Sequence, residues 1–450
     1  MNAVEVVTGT GGKVSIDAAK LEPFKAGLRG MLLRQGDAGY DQARTIWNAM
    51  IDKRPALIVQ CLGVADVMRS VNFARDNGLL LAVKGGGHNI AGNAVCDGGL
   101  LVDLAMMKSV RVDAKARRAN VEPGVKLGEL DHETQAFGLA VPLGINSTTG
   151  VAGLTLGGGF GWFSRKHGLT IDNLVSVDVV TAEGQVVRAS ERENKDLFWG
   201  IRGGGGNFGI VTNFEFQLHP LGPEVFGGLV VYPLDQAKAA LMKYAEFVEK
   251  MPEEMSIWFV LRKAPPLPFL PADFVGKEMI GFAIFYGGEV AKGKQLTDPV
   301  RHWGKPVGEH LGPMPYTAWQ QVIDPLLTPG FRNYWKSHNL AMISEGFIDT
   351  VVKFAGQLPS PHTEIACALI GAGGSKASKV AEHEMAWAHR GTKLVMNIHG
   401  RWETPAEDQK VIGWARDLWN DNHQPPGRPR GRIPRDQGML RSAAGVYWLP

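Results

Sequence analysis

The chain has 450 residues, 48 basic against 45 acidic, and a formal net charge of +3; this balance, without a long run of either sign before the C-terminal tail, argues against nucleic acid as a partner. Cys61, Cys96 and Cys367 have neither metal-ligand spacing nor disulfide-scaffold density, so no metal is expected and a reducing compartment fits. Met1–Lys20 lacks the pattern of an export signal, and apolar runs such as Leu79–Val83 and Phe226–Tyr232 are too short to cross a bilayer, which predicts a cytoplasmic protein with no membrane partner.

In chain order, Ala56–Cys61 reads as a buried strand, and Val64, Val67, Met68, Val71 and Ala74 then repeat at helical spacing up to Gly78. Leu79–Val83 returns as a strand, giving a β-α-β unit. The loop Lys84-Gly85-Gly86-Gly87-His88-Asn89 follows, and Leu100–Leu104 is a further strand. Arg117–Glu122 meets a Pro123-Gly124 turn, and Leu127–Ala136 reads as a helix up to Gly138. A second glycine cluster runs from Gly150 to Gly161. Leu174–Val180 and Val186–Ala189 predict a hairpin with Glu183-Gly184 at its turn. A third cluster, Gly203 to Gly206 with Asn207-Phe208-Gly209, leads into Ile210–Leu218, whose alternation predicts a strand with Thr212, Phe214, Phe216 and Leu218 on one face. Beyond Pro220, strand-like runs at Val225–Tyr232, Ser256–Lys263, Glu278–Tyr286, Thr363–Ile370 and Leu394–His399 alternate with helical stretches at Leu234–Lys250 and Glu407–Asn420. They predict an antiparallel sheet backed by helices.

With 57 glycines, about 13% against an average of roughly 7%, the clusters are where chemistry is expected. Backbone amides can cradle a pyrophosphate only where the chain comes close and turns its N–H groups inward, and glycine permits both. Gly204-x-Gly206-x-x-Gly209 fits the nicotinamide dinucleotide fingerprint, but that motif needs a helix after it, and Ile210–Leu218 reads as a strand. No Gly-Lys pair is followed by Ser or Thr, so a P-loop is excluded. His132-Glu133 and His383-Glu384 open like zinc helices but lack the second histidine, and there is no Gly-x-Ser-x-Gly elbow. His88 among glycines can cap a turn. Its neutral imidazole can also attack the methyl carbon on the dimethylbenzene edge of a flavin and raise the ring's reduction potential.

Lys84-Gly-Gly-Gly-His88-Asn89-x-x-Gly92 resembles the cofactor loop of berberine bridge enzyme-like flavoproteins, in the vanillyl-alcohol oxidase superfamily. Gly150-Val-Ala-Gly-Leu-Thr-Leu-Gly-Gly-Gly-Phe-Gly161-Trp162 resembles their second flavin loop, and two further motifs follow in order: Ser164-Arg-Lys-His-Gly168-Leu-Thr-x-Asp172-Asn173 and Asp196-Leu-Phe-Trp-x-x-Arg202-Gly-Gly-Gly-Gly-Asn207-Phe-Gly209. The likeness is strong over 54–221 and weaker to about 420. It implies an α+β chain in which a two-lobed PCMH-type FAD-binding domain (50–221) is preceded by a segment packing on it (1–49). A substrate-capping domain with an antiparallel sheet backed by helices (222–423) follows, then a tail (424–450).

The resemblance further implies FAD as cofactor, held by Lys84, Gly85, Gly86, Gly87, His88, Asn89, Gly92, Thr149, Gly150, Gly153, Gly157, Gly158, Gly161, Asp172, Asn173, Gly209 and Val211. His88 matches the residue that carries a histidyl-flavin bond. Asn146 stands where some members add a second, cysteinyl bond, so a singly linked flavin is expected. Thr149 lies where the family tunes oxygen access, which leaves oxidase and dehydrogenase both open. Removing a hydride from a carbon bearing a hydroxyl or amine of a small-molecule substrate, a sugar or secondary metabolite, calls for a nearby base. Glu384 is the expected base, on spacing that resembles a substrate-domain strand of plant members; the competing reading is an exposed glutamate beside Glu382. Tyr334 and Tyr286 are phenolic alternatives, and Trp402 is expected to pack. Gln424–Arg435, rich in Pro, Gly and Arg, departs from the family pattern and predicts disorder. A second reading follows: a flavin-binding protein left catalytically idle by its altered C-terminus.

Overall fold

The computed structural model describes residues 3–421; the tail expected at 424–450 lies outside the described residues. The glycine-rich half is built on two sheets. In the first, Leu57–Gln60 and Leu81–Lys84 flank Leu100–Asp103 in parallel, and Met31–Leu33 is added antiparallel at one edge. Parallel strands cannot be joined by a tight hairpin and need a crossover connection, and the helix Val64–Asp76 supplies it between Leu57–Gln60 and Leu81–Lys84, burying Val67, Val71 and Ala74. Asp66 is buried in its first turn, accepting from the backbone N–H groups of Arg29, Gly30 and Leu62 at 2.8–3.0 Å. This staples the N-terminal segment to the sheet.

The second sheet is antiparallel, in the order Val186–Ser190, Leu174–Val180, Ile210–Gln217, Arg118–Val121, Val110–Asp113. Phe214, Phe216 and Leu218 enter its core while Asn213, Glu215 and Gln217 stay partly exposed, as the alternation predicts. The strand after Gly209 is therefore real, and the nicotinamide fingerprint lacks its helix.

Past Pro220 the chain forms a seven-stranded antiparallel sheet: Gly308–Pro315, Glu224–Pro233, Glu278–Tyr286, Met255–Lys263, Glu364–Leu369, Leu394–Trp402, Arg332–Leu340. Helices Ala237–Phe247, Glu345–Ala355 and Asp408–Asp421 cover one face, where Met396 and Ile398 share a core with Trp414 and Leu418. Strand side chains alternate between faces, so Asn397, His399 and Arg401 point the other way, toward the glycine-rich half. Two of these strands, Gly308–Pro315 and Arg332–Leu340, and the helix Glu345–Ala355 are absent from the sequence reading.

Candidate functional site

The first glycine loop leaves its strand at Lys84, whose side chain is buried, donates to Ala43 O and lies 3.3 Å from Asp103. The loop meets the second at a single crossing. A Cβ on Gly86 would stand 2.4 Å from Gly150 N, and one on Gly85 would meet Pro123 O at 3.1 Å. Gly87 turns the chain at φ +71°, a conformation open to glycine and costly to side-chain-bearing residues. Asn89 then accepts from Asn93 N at 2.9 Å, and Gly92 packs on Ile51.

His88 sits at the apex. Its Nε2 is 3.1 Å from Thr148 Oγ1, its Nδ1 is 3.4 Å from Thr149 Oγ1, and Trp47 stacks on its ring at 5.4 Å. Burial, reinforced by the charge of Lys126, pushes the imidazole down to about 4, so it is neutral near pH 7. A neutral imidazole keeps a lone pair, which is the condition for a nucleophile.

The second loop runs from Thr149 into a short helix, Val151–Leu156, which contains Gly153 and ends at Gly157. Gly158 and Gly161 allow close packing: a Cβ would stand 2.8 Å from Trp387 Cδ1 at the first and 1.6 Å from Leu143 O at the second. The third loop touches the second through Gly205 N donating to Leu156 O at 3.0 Å, and Trp387 lies over both Gly158 and Gly203.

Other residues named from the sequence have structural partners. Asp172 receives both arms of Arg390, at 2.9 and 2.6 Å, with each side chain 4% exposed. Asn173 donates to His167 O and Leu169 O and accepts from His219 at 2.6 Å. Gly209 packs on Val179, and Val211 pairs with it inside the second sheet. These four join sheets and domains through the contacts they make here.

Glu384 requires a correction. The strand expected around it does not form; residues 381–389 are an irregular loop and the Glu384 side chain is exposed. The loop's backbone is occupied with packing instead: Glu384 O accepts from Arg202, His383 O from Trp199, and Trp387 N donates to Arg202 O. The segment has too little β-branched or alternating character to join a sheet.

Sequence reasoning missed a row of residues on the open face of the capping sheet. Arg262, Glu364, His399 and Trp335 lie in register across four adjacent strands. Arg262 donates to Glu364 at 2.6 Å, Glu364 accepts from His399 Nδ1 at 3.0 Å, and His399 stacks on Trp335 at 4.0 Å. Trp335 meets Trp47 edge-on at 5.6 Å, so contacts run unbroken from His399 to His88. Burial alone would raise the Glu364 carboxyl, but Arg262, the His399 hydrogen bond and Arg401 outweigh it and hold it at about 2. No local spacing announces this row, because its members are brought together only by strand pairing. Asn48 fastens the two halves beside it, donating to Asn333 O and accepting from Asn333 N, both at 3.0 Å.

This arrangement fits FAD. The crossing of Gly86 and Gly150 is a place where a Cβ would collide with backbone; next to it Trp47 stacks on His88 and Arg401 lies over Trp47, and Trp47 Nε1 and Arg401 Nε are buried without a hydrogen-bond partner among the described residues. Two lobes with glycine loops between them, under an antiparallel cap, define a PCMH-type FAD-binding enzyme. Residues 55–190 match the FAD binding domain family. An FAD-linked oxidoreductase of Dictyostelium discoideum is 32% identical over 400 residues, covering 88% of this chain and 84% of that protein. The chain belongs to the FAD-linked oxidoreductases. The solved 6-hydroxy-D-nicotine oxidase of Arthrobacter nicotinovorans is similar at TM-score 0.76 and 26% identity, over 88% of this chain and 85% of that one. The berberine bridge enzyme-like 1 protein of Physcomitrella patens shares the fold at TM-score 0.80 and 23% identity, over 89% and 88% of the two chains.

Proposed function

We propose that this FAD-linked oxidoreductase carries its flavin on His88 and takes a hydride from a carbon bearing a hydroxyl or amine in a small organic molecule. The observation that carries the reading is His88 itself: a neutral imidazole at the apex of a loop seated directly on the second glycine loop. Bound FAD supplies the two-electron acceptor, and dioxygen or another acceptor takes the electrons onward. Lys84 and the loops at Gly85–Gly87 and Thr149–Gly150 would hold the cofactor's ring end. The link would join a ring nitrogen of His88 to the methyl carbon of the dimethylbenzene edge, with one proton lost from the imidazole, one from that carbon, and two electrons taken by dioxygen as hydrogen peroxide.

His399 is the proton acceptor that this reading favours over the exposed Glu384. Glu364 accepts its Nδ1–H, which leaves the Nε2 lone pair available, and Nε2 has no partner among the described residues. A substrate O–H or N–H proton would pass to Nε2 as the hydride departs. The test uses purified protein precipitated in acid: flavin colour that stays in the pellet of the native chain and is absent from His88→Ala supports the link. Bleaching by 6-hydroxy-D-nicotine or by chitooligosaccharides would place the substrate among amines or sugars. Colour retained in the His88→Ala pellet would refute the attachment site.

A further inference from the structure

Thr148 stands in a hydrogen-bonded path whose direction can be followed proton by proton. Its backbone N–H donates to Asn146 Oδ1 over 3.0 Å, which identifies that atom as the amide oxygen; the amide nitrogen accordingly donates to Leu327 O at 3.3 Å. The Thr148 hydroxyl proton is committed to the same Oδ1 at 2.5 Å. A hydroxyl has one proton, so toward His88 Nε2 the Thr148 oxygen offers only lone pairs. Nε2 must therefore carry the ring's hydrogen. On the opposite side Thr149 Oγ1, at 3.4 Å, has its proton free to point at Nδ1, and the length of that contact makes it weak. Both hydroxyls specify the same ring form. The path is also anchored from the capping domain: Ser147 N donates to Asp324 at 2.9 Å beside the Asn146–Leu327 bond.

We infer that Asn146 and Thr148 are positioning residues that hold His88 as its Nε2–H tautomer, so that Nδ1 is the nitrogen presented for bonding to the flavin. The tautomer stands on geometry alone; its consequence for the linkage rests on the covalent reading above.

The experiment uses the full chain, labelled with 15N-histidine and produced flavin-free in a riboflavin-starved host, with His88 signals identified by their loss in His88→Gln. Nitrogen spectra should show Nε2 protonated and Nδ1 unprotonated. Thr148→Val, which keeps the shape and deletes the acceptor, should mix the two tautomers, and Thr148→Ser should restore one. When FAD is added, covalent flavin should appear in Thr148→Val about fivefold more slowly than in the native chain, the scale of one neutral hydrogen bond, and Thr148→Ser should recover the rate. The flavin peptide from the native chain should be linked through Nδ1. A native Nδ1–H tautomer, an unchanged spectrum in Thr148→Val, or linkage through Nε2 would overturn the inference. Absence of any acid-stable flavin in the native chain would instead defeat the covalent reading, while the nitrogen spectra would still decide the tautomer.

Discussion

Gly86 and Gly150 cross with no side chain between them: a methyl on Gly86 would lie 2.4 Å from Gly150 N, and one on Gly150 would lie 2.5 Å from Gly86 N. Gly150 has an ordinary extended backbone, φ −76° and ψ 134°, so close approach and not conformational freedom is what demands glycine there.

Either Gly86→Ala or Gly150→Ala therefore forces the two loops apart. Overpacking of a rigid contact costs about 1–3 kcal/mol, and neither neighbour here is a side chain that can swing away. Both variants should melt several degrees lower and retain much less FAD after gel filtration. A variant with native melting and full flavin content would show that the loops can separate without consequence.

The clamp between Asp172 and Arg390 should behave as a buried pair does. Asp172→Ala leaves the Arg390 charge buried without its carboxylate, which costs about 3–5 kcal/mol. Replacing both, as Asp172→Ala with Arg390→Met, removes the stranded charge and should recover a large part of that loss. Urea unfolding of the three proteins decides it. If the double variant is no more stable than Asp172→Ala, the cost comes from lost packing of Trp387 over Gly158 and Gly203, not from the ion pair.

The FAD-binding half was legible because its elements are announced locally. The β-α-β unit, the hairpin at Glu183-Gly184 and the strand after Gly209 all follow from periodicity and turn residues. The capping sheet was harder to read at its edges. Gly308–Pro315 contains two prolines, tolerated because it pairs on one side only, and Arg332–Leu340 is mostly polar. The helix Glu345–Ala355 had a readable start, since Ser344 caps Phe347 N at 3.2 Å and Phe347, Val351 and Phe354 share a face. The glycine loops are contiguous in sequence, so the loop that carries His88 could be read as a loop. Trp47, Thr148, Glu364 and His399 converge through strand register and loop docking, and no window of sequence holds that information.

Glu364 makes acid stability a test of the row it belongs to. Its carboxyl is held at about 2 in the folded chain against an ordinary 4.5. The folded state thus favours the ionised form, and this contribution is full above pH 4.5 and is lost as pH falls toward 2. Glu364→Gln should remove that dependence and, by leaving Arg262 buried without its partner, destabilise the chain by about 3–5 kcal/mol at neutral pH. Denaturation midpoints measured from pH 2 to pH 7 should draw together for the two proteins at the acid end. Parallel curves would mean that Glu364 carries no linked charge.

Asp131 has the opposite sign. It is 1% exposed, accepts from Gln320 Nε2 at 3.0 Å, and among the described residues has no hydrogen-bond partner for Oδ1. Burial pushes its carboxyl up to about 7, against the smaller pull of Gln320 and Tyr316. Here the folded state favours the protonated form, so as pH rises from 3.8 to 7 the unfolded chain sheds a proton that the folded chain keeps, and stability falls. Asp131→Asn preserves the bond from Gln320 and offers an N–H to Gln320 Oε1, which is itself without a partner among the described residues. The variant should gain little at pH 4 and most above pH 7, by about 4 kcal/mol at most. A gain of equal size at both ends would show that Asp131 is ionised in the folded chain and that its surroundings, not its proton, set the cost.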